Sequence, residues 1–428
     1  MQRSEFEEVL RRALSCSQDD VAHARLLDFN LNSLDGNLGF MGDHNVLHVT
    51  YEINDRQYTR TFFYKRVPCS ERHSNYIITE GVFAKEKEIY QKIIPMFCKY
   101  LNVPKLLFIP NCYFIKDNEF MILDNLTDLG YKLHDKLIPL DIYHCESALK
   151  ALAKFHAASF ITESKTGKSM EEFCDYNHEV LLVNSLSKSI ARSWHLSSME
   201  TLFRMLQRSG EYEERLGKNW DQVHEKISLA WDKGIQLVEG PSEKFRNVLC
   251  HRDLWSNNIL FKYNDEGKPA GAMLIDFQLY RYCPPVVDIV MLLYLTTTRE
   301  LREKQIYKLL QVYHAEMSFT LKEAGVNPEG PDGLQLNEIL ASFEEFHFFG
   351  ICIACRYLPT CLRSNVDMEL VKKRILEIST QEKLEAHVVP EHYLDERAEL
   401  LLRGMKTCPE FRSRVCVAVD QFLDWLQF

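Results

Sequence analysis

VLCHRDLWSNNILFKYNDEGKPAGAMLIDFQLYRYCPPVVD, residues 248–288, sets His251, Asp253, Asn258 and Asp276 into short apolar runs. Asn258 to Phe261 reads as a strand, Lys262 to Lys268 carries Asp-Glu-Gly turn chemistry, and Ala272 to Ile275 reads as the returning strand. Such a hairpin brings Asn258 beside Asp276. An acid ahead of the hairpin, Asp253, suits orienting an attacking hydroxyl and accepting its proton. The amide and the second acid suit holding Mg2+ on nucleotide phosphates. Oxygen-only ligation at an open position favours that ion, which keeps several waters and takes further ligands from phosphate. Read singly, Asp253 and Asp276 are turn and cap residues of an ordinary α/β protein. H-x-D-x-x-x-x-N followed at hairpin distance by apolar-D-F is a compound signal, and it points to phosphoryl transfer.

Working outward from that hairpin, the N-terminal side reads as a sheet. After an amphipathic first helix come strands at Leu26 to Leu34, Asn45 to Glu52 and Gln57 to Val67, with two more at Lys105 to Ile115 and Glu119 to Leu123. Gly36, Gly39 and Gly42 lie between the first two strands, where backbone amides can approach phosphates. Their G-x-x-G-x-x-G spacing fits a plain hairpin loop equally well. Lys65 stands on the third strand, and the helix expected over Thr79 to Pro95 carries Glu86 and Glu88. A strand lysine paired with a helix glutamate is how a kinase fixes its contact to the α- and β-phosphates. A lysine reaching to solvent beside solvated glutamates is the bland alternative. The polar, glycine-terminated stretch Asp124 to Gly130 marks the lobe boundary. The remainder of the chain reads as helical apart from the hairpin, including Ser147 to Phe160, helices between Met170 and Val238, and about five more after Arg299. The expected fold is α+β and bilobal, kinase-like. A five-stranded antiparallel sheet lobe over residues 1–123 and a hinge over 124–130 precede a larger, mainly helical lobe over 131–428.

Composition bounds the function. At 428 residues, 46% hydrophobic and 26% charged, the chain has the make-up of a soluble globular protein long enough for two lobes. A net charge of -10 argues against nucleic acid as a partner. The 13 cysteines show no pairing rhythm, the N-terminus is not a secretory signal, and no apolar run reaches membrane-spanning length, so a reduced, cytoplasmic setting is expected. Cys352 and Cys355 form a C-x-x-C inside an apolar helix-like segment without a second pair, and read as buried structural thiols. TGKSM at 166–170 ends like a Walker A motif but lacks its first glycine and its preceding strand. His44 and His48 read as solvent-facing strand positions rather than metal ligands.

The segments VLCHRDLWSNNILF, LIDFQLYRYCPPVVDI, LKALAKFHAAS, FAKEKEIYQKIIP and TFFYKRVP resemble the ecdysteroid kinase-like (CHK kinase-like) family, within the aminoglycoside phosphotransferase and choline kinase group. With the C-terminal helices they span nearly the whole chain. The tryptophan after Asp253-Leu254 and the glutamine after Asp276-Phe277 are especially characteristic. The resemblance implies Asp253 as catalytic base, Asn258 and Asp276 as Mg2+ ligands, and Lys65 as the phosphate-binding lysine. It places Glu86 at the family's helix-glutamate position, with Glu88 as the fallback. It also implies that Leu123 to Leu126 meets the adenine edge of ATP through backbone groups, notably at Asp124 and Leu126. The family more often has glutamate at position 124 and glycine at position 252, where this chain has Asp124 and Arg252. Only twelve residues separate Asp276 from Asp288, which leaves no room for the activation segment of a protein kinase; Asp288 reads as a helix cap bracing the catalytic loop.

The expected activity is therefore ATP-dependent, Mg2+-assisted phosphorylation of a small-molecule alcohol, with a steroid-like or other lipophilic acceptor as the resemblance implies. A choline or ethanolamine kinase, and a nucleotide-binding pseudokinase scaffold, are the alternatives. The helices bearing Trp194, Trp220 and Trp231 and the segment Phe343 to Tyr357 are candidate acceptor walls, although helical spacing explains their aromatics as core. No obligate protein partner is evident. The acidic net charge disfavours anionic acceptors.

Overall fold

A computed structural model describes residues 3–17, 24–34, 42–68, 71–184, 190–364, 367, 370 and 390–428. The N-terminal part holds a five-stranded antiparallel sheet in the order β1-β2-β3-β5-β4, from β1 (Arg25–Ser33), β2 (Asp43–Ile53), β3 (Arg56–Arg66), β4 (Cys112–Lys116) and β5 (Phe120–Asp124). Its alternation is that of a half-buried sheet. Leu47, Val49, Phe62, Tyr64 and Ile122 turn to one side, where Phe6, Val9, Leu10, Ala13 and Leu14 of α1 (Arg3–Ser17) close a small core. The opposite side presents His44, Val46, Phe63, Lys65 and Leu123 to the cleft between the lobes.

Crossing from β3 to β4, the chain forms α2 (Glu71–Thr79), α3 (Val82–Glu88), a π-helical turn (Ile89–Ile93) and α4 (Ile94–Leu101). The sequence places one helix from Thr79 to Pro95, and both limits need correction. Gly81 sits in the left-handed region at φ 70° and starts α3 afresh. Pro95 falls in the first turn after the π-helical segment, so its missing N–H breaks nothing and α4 runs on to Leu101. The strand expected from Lys105 begins only at Cys112. Pro104 and Pro110 flank a run of turns there, and Leu106, Phe108 and Ile109 are buried without strand pairing.

Beyond a run of turns at 125–130, the larger lobe contains α5 (Ile142–Thr166), α6 (Ile190–Ser209), α7 (Glu213–Leu216) and α8 (Trp220–Gln236). After the hairpin come α9 (Val286–Thr296), α10 (Arg299–Glu323), α11 (Leu336–Cys361), α12 (Glu391–Thr407) and α13 (Pro409–Trp425). Every residue of α9 is buried, which is what its VVDIVMLLYLT sequence requires of a central helix. Gly350 of α11 lets Tyr294 of α9 lie against the helix backbone; a Cβ there would come within 2.4 Å of the ring. This lobe is not purely helical outside the hairpin. β6 (Tyr131–Leu133) pairs with β8 (Ile259–Tyr263), which pairs with β9 (Pro269–Leu274), and β7 (Val248–Cys250) pairs with β10 (Arg281–Cys283). Three-residue strands are too short to show alternation, so nothing local marks them. Among the described residues no helix is long and apolar enough to cross a membrane.

Candidate functional site

Register sets the roof of the cleft. In the β2–β3 pairing Val46 lies opposite Phe63, and two residues on His44 lies opposite Lys65. The roof therefore changes from apolar to polar over about 7 Å. The floor changes in step, from Leu260 on β8 to Asn258 just before it, with Asp276 beyond β9. Together these residues enclose a cavity of about 470 Å³ that also touches Asp124, Asn125 and Leu126. An apolar slot leading to a lysine, an amide and a carboxylate fits a nucleoside triphosphate with a hard cation on its phosphates.

Lys65 is the pivot. Its Nζ donates to Glu86 Oε2 at 2.6 Å and to Asp276 Oδ1 at 2.6 Å, tying the sheet to α3 and to the floor. Burial would lower the lysine pKa, but Asp276 and Glu86 outweigh it and hold the amine charged. Glu88 points elsewhere: it accepts from the Asp175 amide at 2.9 Å, Lys92 at 3.1 Å and the Tyr280 hydroxyl. Residues two apart on a helix are about 200° apart around it, so only one can face the strand. Lys85, fully buried, donates to the carbonyls of Tyr176, His178 and Tyr280 and so anchors the same helix to the larger lobe. Gly42 lies against Lys65; a Cβ there would stand 3.3 Å from the lysine Cε and 3.2 Å from His44 Nε2. Gly36 and Gly39 lie outside the described residues.

The loop at His251 to Asp253 is held by Asp288. Its carboxylate accepts from the His251 amide at 2.6 Å, the Arg252 amide at 2.7 Å and His156 Nε2 at 3.1 Å. The bracing role read from the sequence holds, but the capping role does not. Pro285 is the N-cap of α9, and Asp288, three positions inside, turns its carboxylate to the loop. Arg252 and Asp276 both have positive φ, 69° and 70°, which costs a non-glycine residue about 1–2 kcal/mol each and implies firm external support. For Arg252 that support includes Glu179, whose Oε2 takes Arg252 Nη2 at 2.8 Å and Arg281 Nη1 at 3.1 Å. Glu179 Oε1 takes the amides of Val180, Leu181 and Leu182. His251 donates from Nε2 to the Ile275 carbonyl at 2.8 Å and accepts the Asp253 amide at Nδ1, linking the loop to the residue before Asp276.

Asn258 Nδ2 donates to the Asp253 carbonyl at 2.7 Å and to Asp253 Oδ2 at 2.9 Å, which leaves its Oδ1 as a potential metal-ligating atom. Burial, then the Asp276 charge, push the Asp253 carboxyl up to about 8, close to the pH at which a general base works best. At the end of β5 the Asp124 side chain accepts from the Asn111 amide and side chain and from the Tyr113 hydroxyl, and its own amide donates to the Asn111 carbonyl at 3.0 Å. Only its backbone carbonyl is then available to a base edge, together with backbone groups of Asn125 and Leu126.

His44 faces this cleft beside Lys65 rather than open solvent; the alternation that places it is visible in the sequence, but which face is covered is not. Glu179 had no signal at all in the sequence. Cys352 and Cys355 are buried free thiols, and Gly167 of the TGKSM stretch caps the end of α5 in the left-handed region. Trp231 is enclosed in the core, as is most of α11. A family model described as the ecdysteroid kinase-like family matches residues 41–326 of the chain. No curated protein matches it.

Proposed function

The chain belongs to the ecdysteroid kinase-like family, and on that premise we propose that it transfers the γ-phosphate of ATP to the hydroxyl of a lipophilic small-molecule alcohol. Membership carries a kinase-like function toward small molecules in general. The observation that supports it most is the convergence of Lys65, Asn258 and Asp276 on one cavity, with Asp253 hydrogen-bonded to Asn258 at its edge. Lys65 binds phosphate oxygens from the roof, and Glu86 keeps it aimed there. Backbone groups of Asp124 to Leu126 take the adenine edge, and residues 1–123 and 131–428 close on the nucleotide about 124–130. Asn258 and Asp276 hold Mg2+, which when bound neutralises charge developing on the phosphates. Asp253 receives the acceptor's hydroxyl proton on its carboxylate and orients the oxygen for in-line attack. The cytoplasm, where ATP and reduced thiols coexist, is the setting that suits these parts.

Turnover with ATP and Mg2+ over a panel of steroid and other alcohols, choline and a generic protein tests the reading. Asp253→Asn is expected to keep stabilisation by Mg2+-ATP and to lose about 100-fold or more in turnover, the usual size of a general-base contribution. Turnover in the variant above about a tenth of the wild-type rate would refute the role of Asp253. Choline as the preferred acceptor would move the assignment, and no turnover on any acceptor would favour a nucleotide-binding scaffold.

A further inference from the structure

We propose that the acceptor is an alcohol that also bears an anionic group, and that Arg363 and Arg397 receive that group. This rests on the kinase reading above and names the class of its acceptor. Both arginines are nine-tenths or more buried, at 4% and 5% exposure. Arg363, two residues past the end of α11, donates from Nε to the Pro359 carbonyl at 2.6 Å and from Nη2 to the Arg397 carbonyl at 3.3 Å. Its Nη1 is buried and has no partner among the described residues. Arg397 on α12 donates from Nη1 to Ser197 Oγ at 2.7 Å, and its Nε also lacks a partner among the described residues. Tyr393, one turn earlier on α12, has a buried hydroxyl without a partner among the described residues, and its ring centre lies 5.8 Å from the Arg397 guanidinium carbon. Among the described residues no carboxylate pairs with either arginine. Asp367, whose charge acts on Arg363, takes Arg403 and the Ser364 hydroxyl instead.

Two neighbouring guanidiniums whose hydrogen-bond partners among the described residues are all neutral are costly, because buried charges are normally paired. Burial and Arg397 push Arg363 down only to about 9, so it stays charged near neutrality. An anion reaching Nη1 of one and Nε of the other would supply the missing counter-charge, and guanidinium donors match carboxylate, sulfate and phosphate oxygens.

The pair also lies toward the proposed base: Arg356, seven residues before Arg363, meets the Leu181 carbonyl, and the Leu181 amide donates to the Glu179 that holds Arg252 beside Asp253. Tyr357 and Cys361, on the last turns of α11, both feel the Asp253 charge, and the Tyr357 hydroxyl is another buried group without a partner among the described residues. Arg363 follows Tyr357 by six residues, on the order of 10 Å along the chain at helical rise. An acceptor with a rigid ring skeleton would direct its hydroxyl toward Asp253 and its anion toward the arginines. Lys136 and Arg356 reinforce the sign of the field: Lys136 Nζ meets the Arg363 carbonyl at 2.7 Å, and Arg356 meets the Leu181 carbonyl at 3.2 Å. The net charge of -10 belongs to the whole surface and does not govern this enclosed region.

Calorimetric binding of matched steroid alcohols to the full-length protein, without nucleotide, tests the assignment. The arms are a hydroxysteroid carboxylate, its methyl ester, a hydroxysteroid sulfate and a hydroxysteroid phosphate. At least one anion is expected to bind tenfold or more tighter than the ester, and Arg363→Met and Arg397→Met each to cut that preference below threefold. Stabilisation by Mg2+-ATP should be unchanged in both variants, which shows them folded. Equal binding of ester and anions, binding of none of them, or a preference that persists in folded variants overturns the proposal. Should a variant fail to fold, the wild-type ratio decides alone. Anion preference without any phosphotransfer would count against the kinase reading and leave the anion site standing.

Discussion

Glu179→Gln removes the charge that compensates two buried guanidiniums while keeping the size of the side chain. The carboxylate is 17% exposed, and its partners Arg252 and Arg281 are 1% and 8% exposed, so solvent screens the interaction little. Burial alone would raise the Glu179 pKa, but Arg252, Arg281 and the amides of Leu182 and Leu181 bring it from 4.5 down to about 2. A depression of that size corresponds to about 3 kcal/mol, at the low end of the 3–5 kcal/mol lost when one member of a buried ion pair is removed. Because the folded pKa is the lower one, this stabilisation is complete above pH 4.5 and is lost as pH falls toward 2. Chemical denaturation of wild type and variant from pH 7 to pH 3 measures it. The variant is expected to be about 3 kcal/mol less stable at pH 7, with the gap shrinking to roughly half by pH 3. Turnover should fall as well, since Arg252 precedes Asp253 in the strained loop that Glu179 supports. A gap below about 1 kcal/mol at neutral pH, or one that stays constant down to pH 3, would refute the clamp.

Asp276→Ala is expected to abolish the thermal stabilisation by Mg2+-ATP together with turnover, because it deletes a proposed metal ligand as well as a partner of Lys65; undiminished stabilisation would remove Asp276 from the metal site. Gly350→Ala should destabilise the protein by about 1–3 kcal/mol through overpacking against the Tyr294 ring, measured by denaturant midpoint. A neutral result there would mean that α9 and α11 separate at little cost.

Much of the architecture is local and was legible. Period-two alternation marked β1, β2 and β3, and turn chemistry at 262–268 marked the hairpin that seats Asn258 and Asp276 near one another. These signals survive because each element must match its side-chain pattern to its own backbone period, whatever surrounds it.

Tertiary structure decided what depends on distant partners. Glu86 and Glu88 are equivalent by local chemistry, and only the seating of α3 against the sheet and the larger lobe sends one to Lys65 and the other to Tyr280. Glu179 reaches Arg252 from 73 residues away, and Arg397 meets Ser197 across 200. The sequence by itself determined which residues could do phosphoryl-transfer chemistry and the strands and helices that carry them. Which faces are buried, and therefore which charges find partners and which buried arginines lack a counter-charge among the described residues, came from chain closure over long separations. No local pattern encodes that, because burial and pairing energies belong to contacts rather than to residues.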